Sequence, residues 1–450
     1  MSTPVLWIGF PAIVALAAFL LRRWRRWVAI TVALLAVLLA ILAWYIPIGQ
    51  LITLGPWAFT FSDRFLFAGR QFVLGVTDRT LLMIVYLTLA FFFIGSSSIM
   101  VSEYFVPLGL VMSCLLLASL SVAPFLYAAL FIEAAVLFGV PLLSPPGRQV
   151  DRSVLRFLTF LSFGLPFLLF SGWMLSDIGS EITDPGEVLP ALIFLGFGFA
   201  FLLAIFPLNS WVPMLTGRGH PYTAAYVLTL LPLIVFALLL RFIDQYPWLL
   251  EFDVIPVLGL LMVITGGLWA AFQRDMGRLL GYAVIIEIGR SLLTVDQVSG
   301  ESMYSAMLFS RIMAIGVWSL SLALIRSRTG ELRFRAVQGF GRIFPLVAFG
   351  VMVGNFSLAG FPLLAGFTIH LSLLGSLAQE SIGVALGALL GSIGLLIGGL
   401  RTLAVLVMGP EELPHVEKVN AMAQALIVIG SVVLILMGIF PQWFTAFFLG

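Results

Sequence analysis

Lysine is almost missing from this chain: of 23 basic residues only Lys418 is one. A phosphate-cradling loop, which needs a lysine on the phosphates, is therefore excluded over nearly the whole length. Cysteine is as scarce. Cys114 stands alone, which rules out an intrachain disulfide and a cysteine-held metal or iron–sulfur site, so any redox centre would belong to a partner. The three histidines, His220, His370 and His415, are too scattered to make a metal or haem site. Charge of either sign is thin, at 10% of 450 residues against 61% hydrophobic, where a soluble domain carries about 25% charged. The net charge of +2 is not massed on a patch that nucleic acid could use. No catalytic constellation is present, so the chain is not expected to be catalytic alone.

What is there is apolar sequence in runs of membrane-spanning length. Spans of about 20 residues begin near Val5, Trp27, Thr80, Phe105, Pro124, Val154, Val188, Tyr222, Val254, Arg278, Ser302, Ile343, Ile382 and Ala421. The expectation is an all-α polytopic membrane protein of about fourteen transmembrane helices. The first run, Val5 to Leu21, ends in RRWRR and lacks a small-residue cleavage site, so it reads as a retained helix. If Arg22 to Arg26 face the cytoplasm, PPGRQVDRSVLR, GRGH, QRDMGR and RSRTGELRFRAVQGFGR also fall inside, in keeping with the positive-inside tendency. The opposite loops carry acid: Asp177, Glu181, Asp184 and Glu187, then Asp244, Glu251 and Asp253, then Asp296 and Glu301. Both termini then lie outside. The inner segment EELPHVEK, 411–418, is acidic, and acids weigh little in this rule.

Two runs are interrupted. In FPLNSWVPMLTGRGHPYTAAYV, Pro207, Pro213 and Pro221 crowd together with Gly217 and Gly219, and GNFSLAGFPLLAGFTIH places Gly360, Pro362 and Gly366 inside a long apolar stretch. Such a density of Pro and Gly breaks a helix and frees backbone groups. Freed groups cannot face lipid, and in transporters interrupted helices line the substrate or ion site. Ordinary loops between short helices are the competing reading.

The first of these stretches resembles the broken seventh helix of the antiporter-like membrane subunits of respiratory complex I and of Mrp-type cation/proton antiporters. FIEAAVLFGVPLL is similar to that family's glutamate-bearing fifth helix, RSVLRFLTFLSFG to its sixth, AFQRDMGRLLGYAVIIEIG to its glutamine-aspartate-lysine-arginine-leucine-leucine-alanine-tyrosine segment, and FSLAGFPLLAGFTIH to its broken twelfth helix. The resemblance covers about Pro124 to Pro410. It implies two inverted five-helix repeats, each with a broken helix. The corresponding division is 1–104 for three N-terminal helices and an outer loop, 105–242 and 243–410 for the repeats, and 411–450 for an inner loop and the C-terminal helix.

In the family a glutamate and a lysine on the fifth and broken seventh helices form a pair whose approach changes proton affinity, followed by a relay of buried ionisable residues. Glu133 stands at the glutamate position. The lysine position falls at about Leu233, Glu287 stands for a histidine, Ile315 lies near an expected lysine, and His370 replaces the lysine or glutamate of the twelfth helix. The proton-path candidates are Glu133, Glu287, Arg290, Arg311 and His370. An acid within an apolar span is functional by default, and for Glu133 that reading outweighs the alternative of a buried protonated or hydrogen-bonded structural acid. Arg290, three residues after Glu287, could neutralise it on the same helix face. If the helices pack as the resemblance implies, Glu287, Arg290, Arg311 and His370 converge at the second break, either as a half-channel with His370 exchanging protons or as a closed Glu287–Arg290 pair with His370 sealed in apolar surroundings.

The resemblance implies a membrane-arm subunit of a complex I-like (NADH-quinone oxidoreductase-type) assembly, contributing to or scaffolding proton translocation. The alternatives are a non-conducting homologue, or a subunit of an Mrp-type antiporter, hydrogenase or inorganic-carbon uptake complex. No cofactor is expected in this chain. Its partners would be other membrane subunits, the bilayer, and protons or monovalent cations, in a bacterial or archaeal inner membrane.

Overall fold

The computed structural model describes residues 2–442 except 50, 55–56, 100, 148, 178–184, 247–253, 296, 298–299 and 410–418. Of the acids expected in outer loops, Glu181, Asp184, Glu251, Asp253 and Asp296 lie outside the described residues, as does the segment 411–418. Among the described residues nine helices are long and apolar enough to cross a membrane. The chain is an all-α polytopic membrane protein, and it forms two compact units.

Unit 1 comprises Met1–Ser97, Val101–Leu203 and Leu230–Leu249. It holds α1 (Phe10–Leu20), α2 (Arg25–Tyr45), α3 (Arg79–Ser96), α4 (Phe105–Ser121), α5 (Ala128–Leu143), α6 (Arg152–Asp177) and α7 (Pro185–Leu202). The stretch between α2 and α3 is not a plain loop. It forms the antiparallel pair β1 (Leu51–Leu54) with β2 (Trp57–Thr60), and β3 (Arg64–Phe67) pairs with β4 (Arg70–Val73), which also pairs with β5 (Val122–Ala123). The β3–β4 turn is Ala68-Gly69, with φ of +50° and +73°, and positive φ at both central residues is what a two-residue hairpin matched to strand twist requires.

Unit 2 comprises Ser98–Met100, Ala204–Thr229 and Leu250–Gly450. After α8 (Trp211–Arg218) comes α9 (Pro221–Gln245), whose first turns belong to unit 2 and whose remainder belongs to unit 1. The rest is α10 (Val254–Phe272), α11 (Met276–Leu293), α12 (Gly300–Thr329), α13 (Phe340–Ile343), α14 (Pro345–Ala359), α15 (Gly366–Glu380), α16 (Ile382–Val407) and α17 (Ala421–Ile439).

Helix α16 shows how membrane packing inverts the soluble pattern. Leu386, Leu390, Ile393, Ile397 and Leu400 are exposed, whereas Gly387, Gly391, Gly394 and Gly398 are buried. Bulky side chains thus face outward and the smallest face the neighbouring helix, since helices in lipid associate by close backbone approach. A Cβ on Gly267 of α10 would lie 2.5 Å from the Cα of Gly391, so this pair fixes how near α10 and α16 come. Helices end and restart at both stretches. Pro207 lies between α7 and α8, Pro213 in the first turn of α8, and Pro221 opens α9, where a missing N–H breaks no helical bond. The second interruption, 360–365, separates α14 from α15.

Candidate functional site: a charged network at a helix break

Helix α14 stops because Gly360 takes φ +75°, a left-handed cap. The Gly360 N–H donates to Ser357 O at 3.2 Å and the Phe361 N–H to Phe356 O at 2.9 Å, the paired bonds by which a left-handed residue closes a helix C-terminus. A side chain is unwelcome here twice over. A Cβ on Gly360 would meet His370 Nδ1 at 2.8 Å, and one on Gly366 would meet Ser357 O at 2.0 Å. The closing bonds satisfy two end carbonyls and leave that of Leu358, between them and the helix end, to another donor. That donor is Arg290 of α11, whose Nη1 lies 2.7 Å from Leu358 O. A guanidinium at a helix C-terminus also complements its partial negative charge.

Arg290 is the hub. Its Nη1 donates to Glu287 Oε1 and stands 3.1 Å from His370 Nε2, while its Nη2 donates to Ser392 Oγ of α16 at 2.7 Å. From α12, Arg311 donates through Nε to Glu287 Oε2 at 2.9 Å and through Nη2 to Glu287 O and Ser291 Oγ, both at 2.8 Å. The His370 ring of α15 lies with Nε2 3.6 Å from Glu287 Oε1. All four ionisable residues are at most 9% exposed. One carboxylate thus answers two guanidiniums, which is the condition under which buried charge is tolerated.

The contact constrains a tautomer. A guanidinium only donates, so Arg290 bonds Nε2 of neutral His370 only when the ring proton sits on Nδ1, and Nη1 then shares its two N–H among Glu287, Leu358 and His370. Nδ1 has no partner among the described residues, nor do Ser357 Oγ and both amide atoms of Asn355 on α14. Buried polar atoms of this kind are ordinarily satisfied by water. A second proton on His370 would place N–H at Nε2, where it cannot face Arg290 and can face Glu287. Protonation therefore exchanges one contact of the hub for another, at the residue that also caps α14.

The structure brings Glu287, Arg290, Arg311 and His370 together and leaves Glu133 elsewhere. Glu133 is half-buried on α5 in unit 1 and accepts from Ser162 Oγ of α6 at 2.6 Å. No cation pairs with it among the described residues. Leu233 is buried in α9 and Ile315 in α12, so neither position places a charge there. Glu287 and Arg290 do close on each other, yet His370 is in contact with the pair rather than sealed away from it. Sequence reasoning missed Ser291, Ser392, Asn355 and the Leu358 carbonyl. Ser291 could have been found, four residues after Glu287 on the same helix face, and Asn355 as the one amide in an apolar helix. A backbone acceptor carries no sequence signal.

The family profile described as NADH:quinone oxidoreductase/Mrp antiporter, TM, matches residues 155–398. NADH-quinone oxidoreductase subunit N 2 of Syntrophobacter fumaroxidans is 29% identical over 217 residues, 46% of each chain. The chain spans about half the length of the first curated relatives it matches, at 46% and 47% of theirs. Its fold is similar to that of a chain of respiratory complex I from Thermus thermophilus, with TM-score 0.75, 20% identity and 98% of both chains covered. It is likewise similar to a chain of the Mrp complex from Dietzia sp. DQ12-45-1b, with TM-score 0.80, 17% identity, and 98% of this chain and 95% of that one covered.

Proposed function

The chain belongs to the NADH:quinone oxidoreductase/Mrp antiporter transmembrane family, and from that premise we propose that it is a membrane-arm, antiporter-like subunit of a complex I-like assembly. In this reading it has about fourteen spans in two inverted five-helix repeats, both termini outside the inner membrane, and neighbouring membrane subunits as partners. Electron-carrying cofactors belong to those partners, because a single buried cysteine cannot hold an iron–sulfur cluster.

The observation that carries the reading is the network at the α14–α15 break, where His370 and Glu287 share the Arg290 guanidinium. His370 is the proton-exchanging group, Glu287 receives its Nε2–H, and Arg290 and Arg311 hold the carboxylate ionised in low dielectric. A proton that reaches His370 competes with Arg290 for Glu287 and loosens the cap of α14, linking protonation to the shape of the break. Glu133 in unit 1 has no cationic partner among the described residues to toggle it, so proton handling is assigned to unit 2.

A second reading, a scaffold that does not conduct, is favoured by the buried Leu233 and by the double pairing of Glu287. Measurement on the assembled complex separates the two. The chain alone in sealed vesicles with a pH-sensitive dye should show slow or no proton flux, and rapid uncoupler-like flux would overturn the assignment of unit 1. In the assembled complex His370→Ala should lower proton translocation per electron pair, and an unchanged ratio would leave only the scaffold.

A further inference from the structure

An apolar groove of about 590 Å³ runs along α14 where it faces α16 and α17. Its lining includes Pro345, Met352, Phe356, Phe361, Leu403 and Ile435, and none of the residues that line it has a polar side chain. It extends from Gly341, just before α14, to Leu363 and Leu364 in the break. The 15 residues of α14 span about 22 Å at 1.5 Å each. Spread over that length, the space open to the centre of a water-sized sphere makes a channel roughly 9 Å from wall to wall once the sphere's own width is added, against 10–12 Å for a helix with its side chains. An extended hydrocarbon chain fits within it.

The two ends of the groove differ. At the α13 end Arg342 is exposed, its Nη1 3.4 Å from Gly409 O beyond the last turn of α16. It closes a run that also carries Arg326, Arg328, Arg333 and Arg335. The far end is walled by Leu363, which holds φ +70° with its side chain 66% exposed. Left-handed φ is uncommon for a bulky residue and tends to persist where the surroundings impose it, ligand clamps among them. Here α17 imposes it: a Cβ on Gly438 would lie 2.4 Å from the Leu363 backbone.

We propose that this groove binds one acyl chain of an anionic phospholipid, with the headgroup phosphate on Arg342 and the chain running along α14 to Leu363. Charge complementarity at one end and apolar lining throughout favour this occupant. The proposal does not depend on the complex to which the chain belongs, although the far end of the groove shares the break with the proton network.

Native mass spectrometry tests it on the full chain, purified from membranes, stripped of lipid in detergent and titrated with phosphatidylglycerol or with phosphatidylcholine of the same chains. The wild type should retain one phosphatidylglycerol in preference to phosphatidylcholine. Arg342→Gln should weaken phosphatidylglycerol retention about fivefold, the factor for one basic residue at a lipid surface, and erase the preference. Leu403→Trp should block both lipids, and Val407→Trp, at the exposed rim, should do the same if Leu403→Trp fails to fold. Equal retention of the two lipids by the wild type, unchanged binding with the groove filled, or co-purification of an isoprenoid quinone or a protein segment in place of phospholipid would overturn the proposal.

Discussion

Replacing Glu287 by glutamine removes the one anion that faces two buried guanidiniums. Glutamine keeps the shape but offers a single oxygen, so Arg290 and Arg311 compete for it and one meets an amide N–H instead. Breaking a buried pair by taking away one partner costs about 3–5 kcal/mol. Part of each arginine stays bonded, Arg290 to Leu358 O and Ser392, Arg311 to Glu287 O and Ser291. The lower end therefore applies, about 3 kcal/mol, equivalent to a fall in Tm of roughly 6–12 °C for a unit of this size. Arg311→Met alone should also destabilise, leaving Glu287 with one guanidinium. The double variant should be less damaged than the sum of the singles by about 1–2 kcal/mol, because the second change removes a charge the first had orphaned. Thermal unfolding in detergent, followed by tryptophan fluorescence, measures all three. A Glu287→Gln protein within about 1 kcal/mol of the wild type, or strict additivity, would refute the account of the network as a mutually dependent set.

Nitrogen-15 NMR of the histidines, with His370→Asn to assign the signal, should show neutral His370 protonated at Nδ1; protonation at Nε2 would contradict the Arg290 contact. Gly366→Ala should lower folded yield sharply, since its Cβ would lie 2.0 Å from Ser357 O, and a normally folded variant would mean the break has slack. Leu233→Lys places a cation in a helix where the residue is 3% exposed, and it should destabilise by at least about 2 kcal/mol without raising proton flux in vesicles. Arg241→Met should destabilise unit 1, where Arg241 bonds Asp78 and the Leu120 carbonyl; melting of the variant at the wild-type temperature would show that this pair contributes nothing.

The breaks were legible because Pro and Gly act locally. Gly360 could be picked out as a stop from its neighbours alone, and Glu287 with Arg290 as a pair from their spacing of three. The convergence of Arg311 and His370 on that pair came from family resemblance, since no local rule places α12 and α15 beside α11. The cap on α14 was invisible: the Leu358 carbonyl has no letter of its own, and a serine such as Ser392 within a helix usually bonds its own backbone. The hairpins between α2 and α3 were passed over because four-residue strands carry too little periodicity to outweigh a loop reading.

The near-exclusive use of arginine for positive charge has an electrical consequence. A lysine in a buried site can surrender its proton and become neutral, but a guanidinium effectively never does. Arg290 and Arg311 are thus fixed charges, and only Glu287 and His370 can change theirs. With Glu287 ionised and His370 neutral the network carries one net positive charge, and every added proton raises it. At the distances within this cluster a bare sodium or potassium ion would be repelled, as positive groups in a narrow pore bar cations. Its one ionised carboxylate already faces both arginines. A proton can still enter, because it arrives as a covalent bond to an imidazole nitrogen and draws on the Glu287 charge from there. The arginines therefore give this part of unit 2 a positive charge that no change of pH removes, and only Glu287 and His370 can alter the balance around it.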